Sequence, residues 1–277
     1  MKVKFFDRRI VKIFLETTSA ILAVLSGILI FVDIPDGGKW WALLVYLAIH
    51  AVVYVGIWLR SNSLNHVEID IEGTKVTIKV GDIFSESGLK AIAFNEYFDT
   101  QVDNKLISDA SLNGIYLKKH LGMPISRLDK EIEEYGFEPD EILDINEART
   151  SGKKQKYRLG TIFVHGEYLL AAMSKFDESN RATLTMPEYL EFLIRFWDRV
   201  NKVYAQKSVS TPIFGSGITR IKGHKNISDE DLLKIMLWTF RISEMRFKYP
   251  ARLSIIVHHE KIEQINLLDM KLLKNGV

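Results

Sequence analysis

Apolar and polar positions follow two rhythms along this chain, and the change between them falls near residue 66. Ahead of it lie two long apolar stretches, separated by the short segment from Asp33 to Lys39. No formally charged residue occurs from Trp40 to Leu59. At ~1.5 Å per helical residue, a run of about twenty crosses a hydrocarbon core ~30 Å thick. The first stretch is uncharged from Thr17 to Val32. It attains a full span from Ile10 if it admits Lys12 and Glu16, one helical turn apart and able to pair. The pattern predicts a transmembrane hairpin over 1–60, with spans near 10–32 and 40–59, then a polar linker over 61–66.

From Val67 onward the rhythm shortens. Val67 to Ile71 alternates, Gly73 marks a turn, and Val76 to Val80 alternates again, which predicts two paired strands. Ala91 to Phe94 is a short apolar run, the mark of a strand buried on both faces. Further strands are expected over Thr161–Val164, Tyr168–Met173, Val209–Phe214 and Leu253–Val257. Helical spacing recurs in three places. Ser126 is expected to cap a helix with the stripe Leu128, Ile132 and Tyr135. Thr185 and Glu188 form a capping box ahead of Tyr189, Leu193, Phe196, Val200 and Val203. Ser228 caps a helix with Leu232, Leu233, Met236 and Phe240 on one face. Ala148–Arg158, rich in Lys, Arg, Ser and Gly, reads as an exposed loop. Strands alternating with helices predict an α/β domain over 67–277, with a mixed, mostly parallel sheet covered on both faces.

Composition narrows the classes. Net charge is +2, and no basic stripe with interleaved aromatics occurs, so nucleic acid is not an expected partner. The absence of Cys excludes disulfides, thiolate metal sites and a Cys nucleophile. Around the spans, Lys2, Lys4, Arg8, Arg9, Lys12 and Arg60 outnumber the single Lys39 of the connecting loop, which places both termini in the cytoplasm of a cell membrane. Trp40, Trp41, Tyr54 and Trp58 stand near the ends of the second span, where aromatic rings favour the interface. His50 falls mid-span and is expected to be neutral and bonded to the neighbouring helix. A signal peptide accounts less well for the first stretch, because no small-x-small cleavage pattern precedes Asp33 and a second span follows at once.

In open α/β sheets ligands bind beyond the carboxyl ends of the strands. Two segments sit there. Gly81-Asp82-Ile83 follows a strand, and its carboxylate can accept a bond from an exocyclic amine. Pro212-Ile213-Phe214-Gly215-Ser216-Gly217-Ile218 follows another, and its glycines let backbone N–H groups approach a phosphate. Each is also a common turn, and neither matches a Walker or dinucleotide fingerprint. His258-His259-Glu260 is a local cluster, but neighbours on a strand point to opposite faces, so one metal cannot easily take both imidazoles.

Taken together and in this order, these segments resemble the macro domain, an α/β/α module that binds ADP-ribose. The strand Ala91-Ile92-Ala93-Phe94-Asn95 is similar to the family strand ending in Asn-Ala-Ala-Asn, and Ser210 to Ile218 looks like its second phosphate loop. The resemblance implies an adenine contact at Asp82 and Ile83, and diphosphate and ribose contacts at Gly215, Ser216, Gly217 and Ile218. Asn95 matches the first family Asn, whereas the second falls at Phe98. The first glycine loop is replaced by the run from Val102 to Gly114, where Asn104, Ser108 and Asn113 are expected to face the ligand. A narrower resemblance rests on Asn95-Glu96-Tyr97-Phe98-Asp99-Thr100, Val102-Asp103 and Ser111-Leu112-x-Gly114. These look like the membrane-anchored macro proteins of Thoeris anti-phage systems. That resemblance implies an ADP-ribose-type messenger made by a TIR-domain partner, a lipid bilayer as the site of action, and a homo-oligomer on activation. It implies no cofactor, no metal and no catalytic residues. The alternatives are a tethered ADP-ribosyl hydrolase, with Asp103, Asp109 or Asn113 activating water, and a passive reader of ADP-ribosylated proteins.

Overall fold

Which strands become central follows from their residue patterns. In the computed structural model, which describes residues 3–32, 34–177, 180–217, 219–224 and 226–272, β3 (Leu89–Asn95) and β7 (Tyr168–Phe176) are apolar over most of their length and lie side by side. β1 (His66–Ile71) keeps a strict exposed–buried alternation and forms the edge. β2 (Thr74–Val80) pairs with it through a turn in which Gly73 takes φ +81°, a left-handed geometry that suits glycine. The sheet reads β1-β2-β11-β9-β3-β7-β8-β10. β2, β11 (Leu253–Val257), β9 (Val209–Pro212), β3 and β7 run parallel. β6 (Ile162–His165) and β8 (Ala182–Leu184) pair with β7 antiparallel, and β10 (Arg220–Ile221) runs parallel to β8.

Helices cover both faces because alternate residues of the buried strands point to opposite sides. On one side Ile92, Phe94, Leu170 and Ala172 join Leu117, Leu128 and Ile132 in a core cluster. Leu128 and Ile132 come from α4 (Ile125–Glu133), and Leu117 from the π-helical turn Tyr116–His120, which follows the short helix α3 (Leu112–Ile115). α5 (Met186–Val203) packs on β6 and β7 and against α6 (Asp229–Ile242), burying Tyr189, Phe192, Leu193, Phe196, Trp197 and Val200. The capping box at Thr185 and Glu188 forms, and Ser228 makes a second one with Asp231.

Four local expectations change. Pro124, not Ser126, stands at the N-cap of α4, since its extended backbone (ψ 140°) precedes the first helical turn; Ser126 lies within the helix. β9 ends at Pro212, so Ile213 and Phe214 belong to the following turn. The polar stretch 148–158 is not simply exposed: β5 (Gln155–Tyr157) pairs with β4 (Ile142–Ile145), and the Arg149 side chain is buried. α2 (Lys39–Asn62) continues through Ser61 and Asn62, into the segment expected as a linker.

Two compact units result. One comprises Met1–Val67 with Asn266–Leu272, the other Glu68–Ile265. In the first, α1 (Arg8–Leu29) and α2 are long and apolar enough to cross a membrane, and most of their large apolar side chains are exposed. Lys12 and Glu16 pair at 3.9 Å. Among the described residues His50 makes no hydrogen bond to the neighbouring helix, which meets it through the Phe14 ring at 5.9 Å. Its Nδ1 lies 2.9 Å from the Tyr46 carbonyl one turn earlier on α2, and Nε2 is buried without a hydrogen-bond partner. α7 (Leu267–Leu272), inside the span expected to be ligand-binding domain, belongs to this unit: Asp269 pairs with Arg9 at 2.7 Å, and Leu268 joins Val3 and Ile10.

Candidate functional site

Because five neighbouring strands run parallel, their carboxyl ends share one rim. A cavity of about 680 Å³ opens there. Its wall includes Asp82, Ile83, Asn95, Ser108, Asn113, Gly215, Ser216 and Gly217, brought together from four separate segments. Ile218 lies outside the described residues.

Asp82 follows β2 directly and caps the 3-10 turn Ile83–Ser85, where its Oδ1 accepts the Phe84 N–H at 3.0 Å. That bond fixes the side chain while the residue stays exposed at the cavity. Ile83 is buried in the core cluster below. Across the cavity, the turn after β9 is held from behind. The Tyr189 hydroxyl donates to the Phe214 carbonyl at 2.8 Å, and the Phe214 N–H points at the Met236 sulfur at 3.3 Å. Gly215 takes φ +85°, which a residue with a Cβ adopts only with strain. Around Gly217 an added Cβ would meet nothing within 4 Å. The Ser216 N–H returns to the Ile213 carbonyl at 3.3 Å, whereas the Gly215 and Gly217 N–H groups have no acceptor among the described residues. Open N–H donors on a glycine turn are what an anion requires.

The facing loop, residues 102–114, is built differently. Asp103 Oδ1 accepts the N–H groups of Lys105 and Leu106, both at 2.8 Å. The Asn104 N–H donates to the Ile107 carbonyl at 3.0 Å, and its side chain accepts the Asp109 N–H at 2.9 Å. Ser108 Oγ accepts the Ala110 N–H at 3.3 Å, and the Ser108 carbonyl accepts the Ser111 N–H at 3.2 Å. Asn113 Oδ1 accepts the Gly114 N–H at 3.1 Å. A Cβ at Gly114 would collide with the Ser108 carbonyl, so this glycine serves the loop's own packing. The hydrogen bonds to the Leu106 and Lys105 N–H groups hold the Asp103 carboxyl below the usual range. The Asn104 side chain and Lys118 do the same for Asp109. A lowered carboxyl is a weaker proton acceptor than an ordinary one.

Asn95 lines the cavity, but both ends of its amide are engaged inward. Nδ2 donates to Asp99 at 2.9 Å, and Oδ1 accepts the Tyr97 and Asp99 N–H groups at 3.0 and 3.3 Å. Its expected contact with ligand is therefore limited to what its backbone and carbons offer. Asp99 in turn takes a bidentate pair from Arg149, at 3.0 and 2.6 Å, and the Lys153 N–H at 2.8 Å. The Arg149 guanidinium lies 3.8 Å above the Tyr97 ring and reaches Asn180 Oδ1 at 3.4 Å, so the network extends to the cavity wall. Burial pushes the neighbouring Glu96 carboxyl up, against the opposing pull of Lys156 and the Phe176 N–H.

Sequence reasoning missed the wall formed by Asn180, Arg181, His258, Glu260 and Lys261. His258 was visible only as part of a doubtful metal cluster. It caps the 3-10 turn His259–Gln264 and faces the cavity, while the His259 ring stands 6.2 Å away. Among the described residues no group of His, Asp and Glu is arranged to hold a metal.

Over residues 76–258 the chain matches the family described as Thoeris protein ThsA, Macro domain. It is 35% identical to Thoeris protein ThsA of Bacillus amyloliquefaciens (strain Y2) over 282 aligned residues, covering 99% of this chain and 92% of that protein. Structures of the Oceanobacillus iheyensis macrodomain are also similar. A variant solved with ADPR aligns at TM-score 0.46 and 14% identity, over 75% of this chain and 96% of that one. The same macrodomain with ADP aligns at TM-score 0.45 and 14% identity, over 75% and 94%. The match over most of the second unit, together with a near full-length relative, shows that the chain belongs to the macro-domain family of Thoeris protein ThsA.

Proposed function

We propose that this chain is a membrane-anchored sensor and effector of anti-phage defence. It binds an ADP-ribose-derived messenger, made by a TIR-domain partner, in the cavity at the strand ends. α1 and α2 span the cell membrane as a hairpin, with both termini on the cytoplasmic side. Ligand-bound copies self-associate, and the clustered hairpins disrupt the bilayer, ending in cell death or arrest. A single hairpin cannot enclose a pore, so the lesion requires several copies.

The observation that carries this reading is the shared rim. Asp82 and the Gly215–Gly217 turn line one cavity of about 680 Å³, the range of small-molecule sites. A carboxylate there suits an adenine amine, and open N–H groups suit a diphosphate. Binding without hydrolysis is favoured by the loop over 102–114: the Asp103 carboxylate is engaged in holding its turn and the Asp109 carboxylate in a pair with Lys118.

The test uses the full chain in detergent, titrated with ADP-ribose, NAD, cyclic ADP-ribose isomers and amino-acid conjugates of ADP-ribose. A ligand at 100-fold its dissociation constant adds about 2.7 kcal/mol of stability, read as a raised melting temperature. The expected result is a shift with at least one of these ligands, a higher oligomeric state by light scattering, and ligand recovered intact. Saturation with a ligand while the protein stays at its resting size would overturn the self-association step, and absence of any shift would overturn the messenger.

A further inference from the structure

The loop over 102–114 has most of its backbone donors turned on itself. The N–H groups of Asn104, Lys105, Leu106, Asp109, Ala110, Ser111 and Gly114 all reach acceptors within the loop. A glycine-rich phosphate loop works the other way, presenting its N–H groups to the anion. On this side of the cavity the Leu112 and Asn113 N–H groups, in the first turn of α3, are left without an acceptor among the described residues, and much of the negative charge of a ligand remains for a side chain to meet.

Among the described residues, Lys105, Arg181 and Lys261 are the Lys and Arg residues that line the cavity. Arg181 is paired with Asp177 at 2.9 Å, and Lys261 with Asp229 at 3.3 Å. Lys105 is exposed and has no ion-pair partner among the described residues. Its backbone is anchored by Asp103, so the root of the side chain is fixed while the ammonium is free to move. The Gly215–Gly217 turn lines the same cavity, and its Gly215 and Gly217 N–H groups have no acceptor among the described residues.

We propose that Lys105 is a binding residue for the anionic centre of the ligand. It closes over a nucleoside diphosphate from the loop side while the Gly215–Gly217 backbone holds it from the other. This rests on the reading of the cavity as a nucleotide site. It adds that charge neutralisation here comes from a mobile ammonium in place of a backbone cradle. Two consequences follow that a backbone cradle would not give. Affinity for phosphate-bearing ligands falls with salt more steeply than affinity for an uncharged nucleoside. Replacing Lys105 by Arg preserves binding, whereas a neutral residue of similar length does not.

The experiment measures calorimetric affinity of the full chain in detergent for ADP-ribose and for adenosine, at 50 and 300 mM salt, in wild type, Lys105→Gln and Lys105→Arg. Lys105 is exposed, so the variants are expected to melt with wild type, and melting curves without ligand check this. The expected result is an approximately tenfold loss for ADP-ribose in Lys105→Gln, a flattened salt dependence, unchanged adenosine affinity, and near wild-type binding in Lys105→Arg. Wild-type affinity and salt dependence in Lys105→Gln would overturn the role of Lys105 and leave the nucleotide site standing. Failure of wild type to bind either probe would overturn both.

Discussion

The turn after β3 and the turn after β9 end parallel strands on the same rim, yet they are made by opposite means. After β3, polar side chains do the folding. Asn95 closes its own turn, Asp99 and Arg149 form a buried pair, and Asp103, Asn104, Ser108 and Asn113 tie up the N–H groups of the following loop. After β9, the backbone does the work. Gly215 adopts a left-handed conformation, and the turn is braced from behind by Tyr189 and Met236. One wall is largely bonded within itself, so most of what it offers a ligand comes from side chains at its surface. The other keeps open donors and little bulk. A cavity that reads a nucleotide needs both kinds of wall: shape from the first, anion-binding capacity from the second.

The sharpest way to break the comparison is to remove the buried pair of the first wall. Arg149→Ala leaves the Asp99 carboxylate buried and unpaired, and is expected to cost about 3–5 kcal/mol of unfolding free energy in denaturant titrations. If the wall is only a scaffold, ligand affinity of the folded fraction changes far less than stability. A loss of affinity with stability intact would reassign Arg149 to ligand recognition through Asn180. The second effect concerns the rim. Asp82→Ala is expected to weaken adenine-containing ligands by about 1.5–3 kcal/mol, the range for a charge-assisted bond. Calorimetry giving wild-type affinity would remove the adenine role. The third tests the second wall directly. Gly215→Ala forces a Cβ into φ +85°, at a cost of about 1–3 kcal/mol. Gly217→Ala has open space around it and is expected to leave stability near wild type while still lowering ligand affinity.

How much of this was legible in sequence follows from how local each signal is. The capping box at Thr185–Glu188, the cap at Ser228, the alternation of β1 and β2, and the glycines after β9 are written within a few residues, and each was readable. The two segments at the strand ends could be paired in advance only through the resemblance to macro domains. Arg149 was hidden for the opposite reason. It lies in a stretch whose Lys, Arg, Ser and Gly content suggests solvent, and its partner Asp99 is 50 positions away. Nothing near either residue announces the pair. The role proposed for Lys105 depends on which neighbouring N–H groups are already engaged, and that is visible only once the loop is folded. α7 is short, and it joins the hairpin unit through Arg9 and Leu268, which local pattern cannot convey.

The smallest expected effect probes the brace behind the glycine turn. Tyr189 sits in the first turn of α5, next to Glu188 of the capping box, so the geometry of the cap sets where its hydroxyl meets the Phe214 carbonyl. Partial burial pushes the Glu188 carboxyl up, but Lys175 and the N–H and hydroxyl of Thr185 together outweigh it and bring it down to about 2. A carboxyl with a depressed folded value stabilises the protein above its ordinary range. That contribution is complete at neutral pH, declines below about 4.5 and is gone once pH falls through about 2. Thr185→Ala removes one donor and about 1 kcal/mol of capping. It is expected to lower the melting temperature at pH 7 and to narrow the wild-type difference between pH 7 and pH 3. If the brace matters to the site, the same variant loosens ligand binding slightly at pH 7. Tyr189→Phe, which leaves the cap intact and takes only the bond to Phe214, reproduces that loosening without the change in acid sensitivity. Equal acid sensitivity in wild type and Thr185→Ala would mean that Lys175 and the N–H of residue 185 hold the Glu188 charge without the hydroxyl.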